Sequence, residues 1–159
     1  MSEQSAEVEA ERRALLPTSP EASLEKVRQL MPLKGIGING AWLLVMEFFG
    51  WRALKTRREV GGLAGFTPTP YHSGESAREQ GLTKSGNRHV RWMTTELAWS
   101  WVRYQPESAL SCWCKERFGY GGKRWRRMGI VAVARKLLIA LWRFLETGAL
   151  PEGAVLKAA

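Results

Sequence analysis

Aspartate is absent from all 159 residues, so every acidic side chain is a glutamate. Two-metal nucleases clamp their ions with clustered carboxylates, usually including Asp. The nine Glu after residue 30 stand singly, and the chain is not expected to build such a site by itself. Cysteine is scarce too. Cys112 and Cys114 form a lone C-x-C pair, His72 and His89 are distant in sequence, and zinc needs four ligands. Both cysteines are expected as buried or half-buried free thiols. Residues 1–13 are polar and Glu-rich rather than a signal peptide. The longest apolar run, Ala41 to Met46, falls far short of the roughly 20 residues that span a bilayer. These absences point to a soluble, cytoplasmic protein with no membrane partner.

Positive charge and tryptophan are abundant. The formal net charge is +9, and it is uneven: residues 1–30 hold six Glu and four Lys plus Arg, whereas residues 31–159 hold nine Glu and twenty Lys plus Arg, a formal +11. Such a field attracts polyanions, of which nucleic acid is the commonest for a soluble domain. Eight Trp give a modest core large contact areas, and 159 residues suit one such core.

The periodicity predicts a mainly α protein: a small helical domain built on a helix-hairpin-helix, with a long functional loop and a basic C-terminal helix. Residues 1–20 read as a flexible or helical lead-in, residues 21–150 as the domain, and 151–159 as a tail. Ser19 can cap a helix with Pro20 at its first position, and Leu24, Val27, Leu30 and Met31 then recur at helical spacing up to Pro32. An apolar helix runs to about Phe49. Thr56 and Glu59 have the spacing of a capping box. Phe66 to Gly86, rich in Pro, Gly, Ser and Thr, reads as the longest loop, and no strong strand signal occurs. Val90, Met93, Leu97 and Trp101 mark a helix from Asn87 to about Tyr104. Pro106 opens another to Phe118. The last, about Lys123 to Glu146, carries Val131, Ala134, Leu138, Leu141 and Leu145 on one stripe and ends at Thr147-Gly148.

Three stretches carry candidate chemistry. In Leu33 to Ala41 the pattern L-x-G-I-G-x-x-x-A reads as a hairpin between helices, where Gly35 and Gly37 permit positive φ angles and let backbone N–H groups face a phosphate beside Lys34. Glycines at such a turn can also serve structure alone. In the long loop, Ser73-Gly74 is followed by Arg78, Lys84, Asn87, Arg88 and Arg91, and the arginines and the lysine could neutralise a phosphate presented to the hydroxyl. Ser-Gly is equally a common turn pair. Lys123, Arg124, Arg126 and Arg127, with Lys115, Arg117, Arg135 and Lys136 around them, form the densest basic run. It reads as a backbone-binding face, the alternatives being a solvated helix or a surface touching anionic lipid.

The ordered set Leu33-x-Gly-Ile-Gly with Ala41, Leu63-Ala64-Gly65-Phe66-x-Pro68, Ser73-Gly74, and Thr83-Lys84-x-Gly86-Asn87-x-x-Val90-Arg91, closed by the basic helix, resembles the C-terminal transposase domain of the IS110/IS116 insertion-sequence family. The resemblance covers about Leu24 to Gly148. It implies DNA transposition by a two-part enzyme: a RuvC-like domain with four acidic metal ligands, and a domain contributing a nucleophilic serine, by position Ser73. It also implies DNA as partner, an element-encoded guide RNA, a RuvC-like half and self-association. No cofactor is expected on this chain, and Mg only in the RuvC-like domain. Without Asp the four-acid set cannot come from within, so the isolated chain is expected to be inactive. The alternative is a non-catalytic helix-hairpin-helix binding module or the remnant of a truncated element.

Overall fold

The computed structural model describes residues 3–16, 21–50, 53–66, 68–73, 76–82 and 87–158, with strand residues 68–73 and 76–82 described through their backbone. The fold is mainly α. In chain order the elements are α1 (Glu3–Leu15), α2 (Ala22–Leu30), α3 (Ile38–Leu44) continuing as a π-helical turn over Val45–Phe49, α4 (Arg57–Leu63), β1 (Pro68–Ser73), β2 (Ser76–Leu82), α5 (Arg88–Tyr104), α6 (Ala109–Phe118) and α7 (Lys123–Thr147).

The 25-residue α7 is the hub: it packs against α2, α4, α5 and α6. Enclosure on several sides explains why its buried set is wider than the stripe read from the sequence. Ala134, Leu138 and Leu141 are buried as expected, Ile130, Val133 and Leu137 join them, and Val131 and Leu145 are half-buried. Each fully buried aliphatic side chain contributes roughly 1.5–3 kcal/mol relative to exposure. Gly129 lets α6 approach: a Cβ there would sit 2.6 Å from the Phe118 ring. The left-handed Gly148, φ 78°, stops the helix.

Helix starts depart from the sequence reading. Ser19 and Pro20 lie outside the described residues, and α2 begins at Ala22 with Glu21 in the cap position and no side-chain cap. Leu24, Val27 and Leu30 are buried as the spacing predicts. Helix α6 starts at Ala109 and not at Pro106, because Ser108 Oγ accepts from Ser111 N at 3.3 Å and is the better cap. The Thr56 cap holds, accepting from Glu59 N at 3.3 Å, while the Glu59 carboxylate takes Lys55 N at 2.8 Å. Within the expected loop from Phe66 to Gly86, β1 and β2 pair antiparallel. Pro68 and Pro70 mask that signal in sequence; both fall where the register shifts, in a two-stranded ribbon whose strands are both edges and so tolerate a missing N–H.

Cys114 is buried but Cys112 is exposed, correcting the expectation that both are shielded. Residues two apart on a helix do not share a face, so one inward thiol forces the other outward.

The ends of the chain are tied in. Leu16 belongs to the core, and Arg12 of α1 donates to Asn39 Oδ1 at 2.9 Å and lies 5.3 Å over the Trp42 ring. Pro151 is buried, and Leu156 pairs with Leu33 in an antiparallel bridge. No helix among the described residues is long and apolar enough to cross a membrane.

Candidate nucleic-acid interface

The turn between α2 and α3 is built by two glycines that do different work. Gly35 has φ +96°, a conformation L-residues disfavour, and its carbonyl accepts from Ser100 Oγ at 2.6 Å. Gly37 does not share that geometry. Its φ of −89° and ψ of 169° are extended backbone, the normal state of a helix N-cap, so the expected positive φ at Gly37 is corrected. A Cβ on Gly37 would meet nothing within 4 Å, leaving an open ledge at the start of α3. The helical ladder begins with Ala41 N donating to Gly37 O at 3.0 Å, so the N–H groups of Ile38, Asn39 and Gly40 precede it without an i−4 acceptor.

Cations surround this ledge. Lys34 is exposed beside it, and Lys34, Lys157, Ser100 and Tyr104 help line a shallow groove of about 350 Å³ over Gly35 and Gly37. Lys157 Nζ donates to Ile36 O at 2.6 Å, and burial, with Arg13 nearby, pushes its ammonium below the ordinary lysine value. Arg12 approaches from α1 through Asn39. Arg12 and Lys157 were invisible as site residues in the sequence: they lie 27 and 121 residues from their partners, and no local pattern marks them.

The other predicted residues fall in three places. Asn87 caps α5, accepting from His89 N at 2.9 Å and Val90 N at 3.2 Å, so its oxygen has a structural job. Arg88 is exposed and, with His89 and Trp92, borders a pocket of about 430 Å³; Arg91 is half-buried one position further round. Ser73 ends β1 opposite Ser76, and Arg78 pairs with Tyr71. Lys84 and Gly74 lie outside the described residues.

Lys123, Arg124, Arg126 and Arg127 are all exposed at the first turns of α7, the positive end of the helix dipole, where cations are disfavoured. None of the four pairs with a carboxylate among the described residues. Trp125 between them is anchored on protein, with its ring 5.0 Å from Phe118 and Nε1 donating to Arg117 O at 3.2 Å.

These groups do not converge on one point. Arg88 and Ser100 are twelve residues apart on α5, about 18 Å along its axis. The C-terminal half of α5 does join two of the sets: Ser100 and Tyr104 face the hairpin groove, while Trp99 and Val102 share an apolar groove of about 280 Å³ with Arg126 and Ile130 of α7. Lys34 and Arg126 thus flank the same stretch of helix. Among the described residues no three His, Cys or Glu side chains gather as metal ligands.

A helical body with an open interhelical hairpin and surface cations that outnumber scattered carboxylates defines a basic domain. The chain belongs to the family described as "Transposase IS116/IS110/IS902 family", whose model matches residues 27–112. It is 40% identical over 158 residues, 94% of this chain, to "Putative transposase y4rJ" of Sinorhizobium fredii, and 31% identical over 77 residues, 48% of this chain, to "Putative transposase y4qE" of the same organism. The chain spans 40% of the length of the first relative, and the second match covers 20% of that protein. No solved structure matches.

Proposed function

We propose that this chain is the nucleic-acid-gripping and serine-bearing portion of a DNA transposase. The observation that carries the reading is the unobstructed Gly37 ledge at the start of α3, in a groove lined by Lys34 and Lys157, with Arg12 bonded to Asn39 of the same helix turn. Backbone N–H groups with cations beside them hold phosphate without reading bases. Arg88, Arg91 and the four cations of α7 extend the positive surface, and Arg78, Lys84 and Asn87 complete the proposed contacts.

Ser73 is the proposed nucleophile. Its oxygen would form a bond to phosphorus as the P–O bond of the strand breaks, the serine proton passing to a base and the leaving oxygen gaining one. A serine hydroxyl needs activation at neutral pH, and arginines steady charge but do not take the proton. The acidic, Mg-binding RuvC-like domain that the family resemblance implies would supply that activation across a composite site, with an element-encoded guide RNA as a second polyanionic partner. The length of the relatives leaves room for such a domain.

The test has two parts. Affinity for a fluorescent duplex should fall steeply with salt, about −0.9 in log–log slope per phosphate contacted. A flat salt response overturns the phosphate-dominated interface. Mixed with a RuvC-like half, Mg and guide RNA, the chain should form a covalent DNA adduct that disappears in Ser73→Ala while binding persists. An adduct surviving in Ser73→Ala removes the serine assignment, and strand cleavage by the chain alone removes the claim that it needs a second part. Binding with no adduct under any of these conditions favours a non-catalytic module.

A further inference from the structure

A cleft of about 510 Å³ opens between the first turn of α4, the start of α6 and the middle of α7. Arg57 and Arg58 line one wall, Arg135, Lys136 and Arg143 another, and Glu152 is the carboxylate at its edge. None of the five cations forms an ion pair with that carboxylate, and the ion pairs found among the described residues lie elsewhere, at Arg13–Glu9 and Arg28–Glu25.

Two features make this more than a solvated basic patch. Arg135 Nε is buried with no hydrogen-bond partner among the described residues, an arrangement that is costly in a folded interior. It is held in place: the guanidinium crosses α4 at Gly61, where a Cβ would stand 3.0 Å from Nε. Second, Arg57 and Arg58 occupy the first turn of α4, where the helix dipole favours acidic groups and repels cations. Like charges assembled against the dipole around a guanidinium fixed in position are relieved by an anion that accepts from several of the side chains lining the cleft together. Phosphate oxygens fit best, because charge-assisted bonds to arginine are strong and can be bidentate. Arg135 and Arg143 are eight residues apart, about 12 Å along α7, further than one phosphate reaches. The array therefore suits consecutive phosphates of a strand.

We propose that this cleft is a second phosphate-backbone site, separate from the hairpin ledge, that holds a strand of nucleic acid against α4 and α7. It rests on the nucleic-acid reading above for the identity of its ligand, while the anion chemistry stands on the cleft itself.

The full chain would be titrated against a fluorescent single-stranded oligonucleotide across a salt series, with AMP and inorganic phosphate as competitors. Arg135→Gln with Arg143→Gln should lower affinity about tenfold and flatten the log–log slope by about 1.4, since single strands release about 0.7 counterion per phosphate. Arg143→Gln alone, at an exposed position, should give about half that flattening, and it guards against a double variant that fails to fold. Arg135→Lys keeps the charge but loses the planar fork of guanidinium donors, and should also weaken binding. Unchanged affinity and slope in all three variants, with wild-type binding intact and Lys34→Gln still harmful, overturns the cleft site and leaves the nucleic-acid reading standing. Failure of the wild-type chain to bind any strand overturns both. AMP or phosphate binding the cleft as tightly as the oligonucleotide overturns the strand as its ligand.

Discussion

The Gln105 side-chain amide donates to the Lys34 carbonyl at 2.9 Å, joining residues 71 apart. The same amide donates to Val155 O at 2.7 Å and accepts from Val155 N at 2.8 Å, so one side chain, 1% exposed, fastens the end of α5, the hairpin and the C-terminal segment together. A buried amide with all these bonds made is stabilising mainly through what its removal would strand.

Gln105→Leu should therefore cost stability at about 1–3 kcal/mol for each group left buried without a partner. Urea denaturation reads this as a lower midpoint. A variant with the parental midpoint would mean that water reaches these backbone groups readily.

The two hairpin glycines should answer the same substitution with opposite signs. Gly35→Ser places a side chain at φ +96°, with Cβ 3.4 Å from Ser100 O, and should destabilise by about 1–2 kcal/mol. Gly37→Ser meets open space at an extended N-cap, where serine is a preferred residue, and should hold or slightly raise stability. Thermal melts of the two variants side by side decide the matter, and equal losses would contradict the geometry of the turn.

Binding and stability should separate at the start of α7. Arg124→Glu with Arg127→Glu removes cations from the positive end of the helix dipole and installs the sign it favours. The melting temperature should hold or rise while affinity for duplex DNA falls and its salt slope shrinks. A lower melting temperature would show these arginines to be structural.

The two thiols should differ in reactivity and in pH response. Exposed Cys112 should react with a thiol reagent in the native protein, and buried Cys114 only on unfolding. Burial pushes the Cys114 thiol above its usual value of 9.0. Between that value and the folded one, the unfolded chain is the form that has lost its proton, so stability falls as pH rises above about 9. Cys114→Ala should lose that part of the alkaline decline, measured as urea midpoints at pH 8 and pH 10; an identical decline in the variant assigns it to other groups.

Much of the fold was legible because its signals are local. The stripes of α2 and α5, the Thr56 cap and the Gly148 stop each reside within a few residues. What escaped the sequence depends on distance or on competition between signals. Pro68 and Pro70 concealed a ribbon whose pairing tolerates them. Gly37 looked like Gly35 in a string of letters, and only the path of the backbone separates a turn residue from a cap. The cleft around Arg135 joins α4 to α7 across more than seventy positions, and Arg57, Arg58 and Arg143 gave no hint that they face it.

The bridge between Leu33 and Leu156, with Lys157 reaching Ile36 across 121 residues, also sets an order of events during synthesis. At about 5–20 residues per second, the hairpin waits several seconds or more for the strand that completes it. A nascent chain carrying α2 and α3 therefore has its glycine turn but not its clasp, which closes only once residues 155–157 have been made.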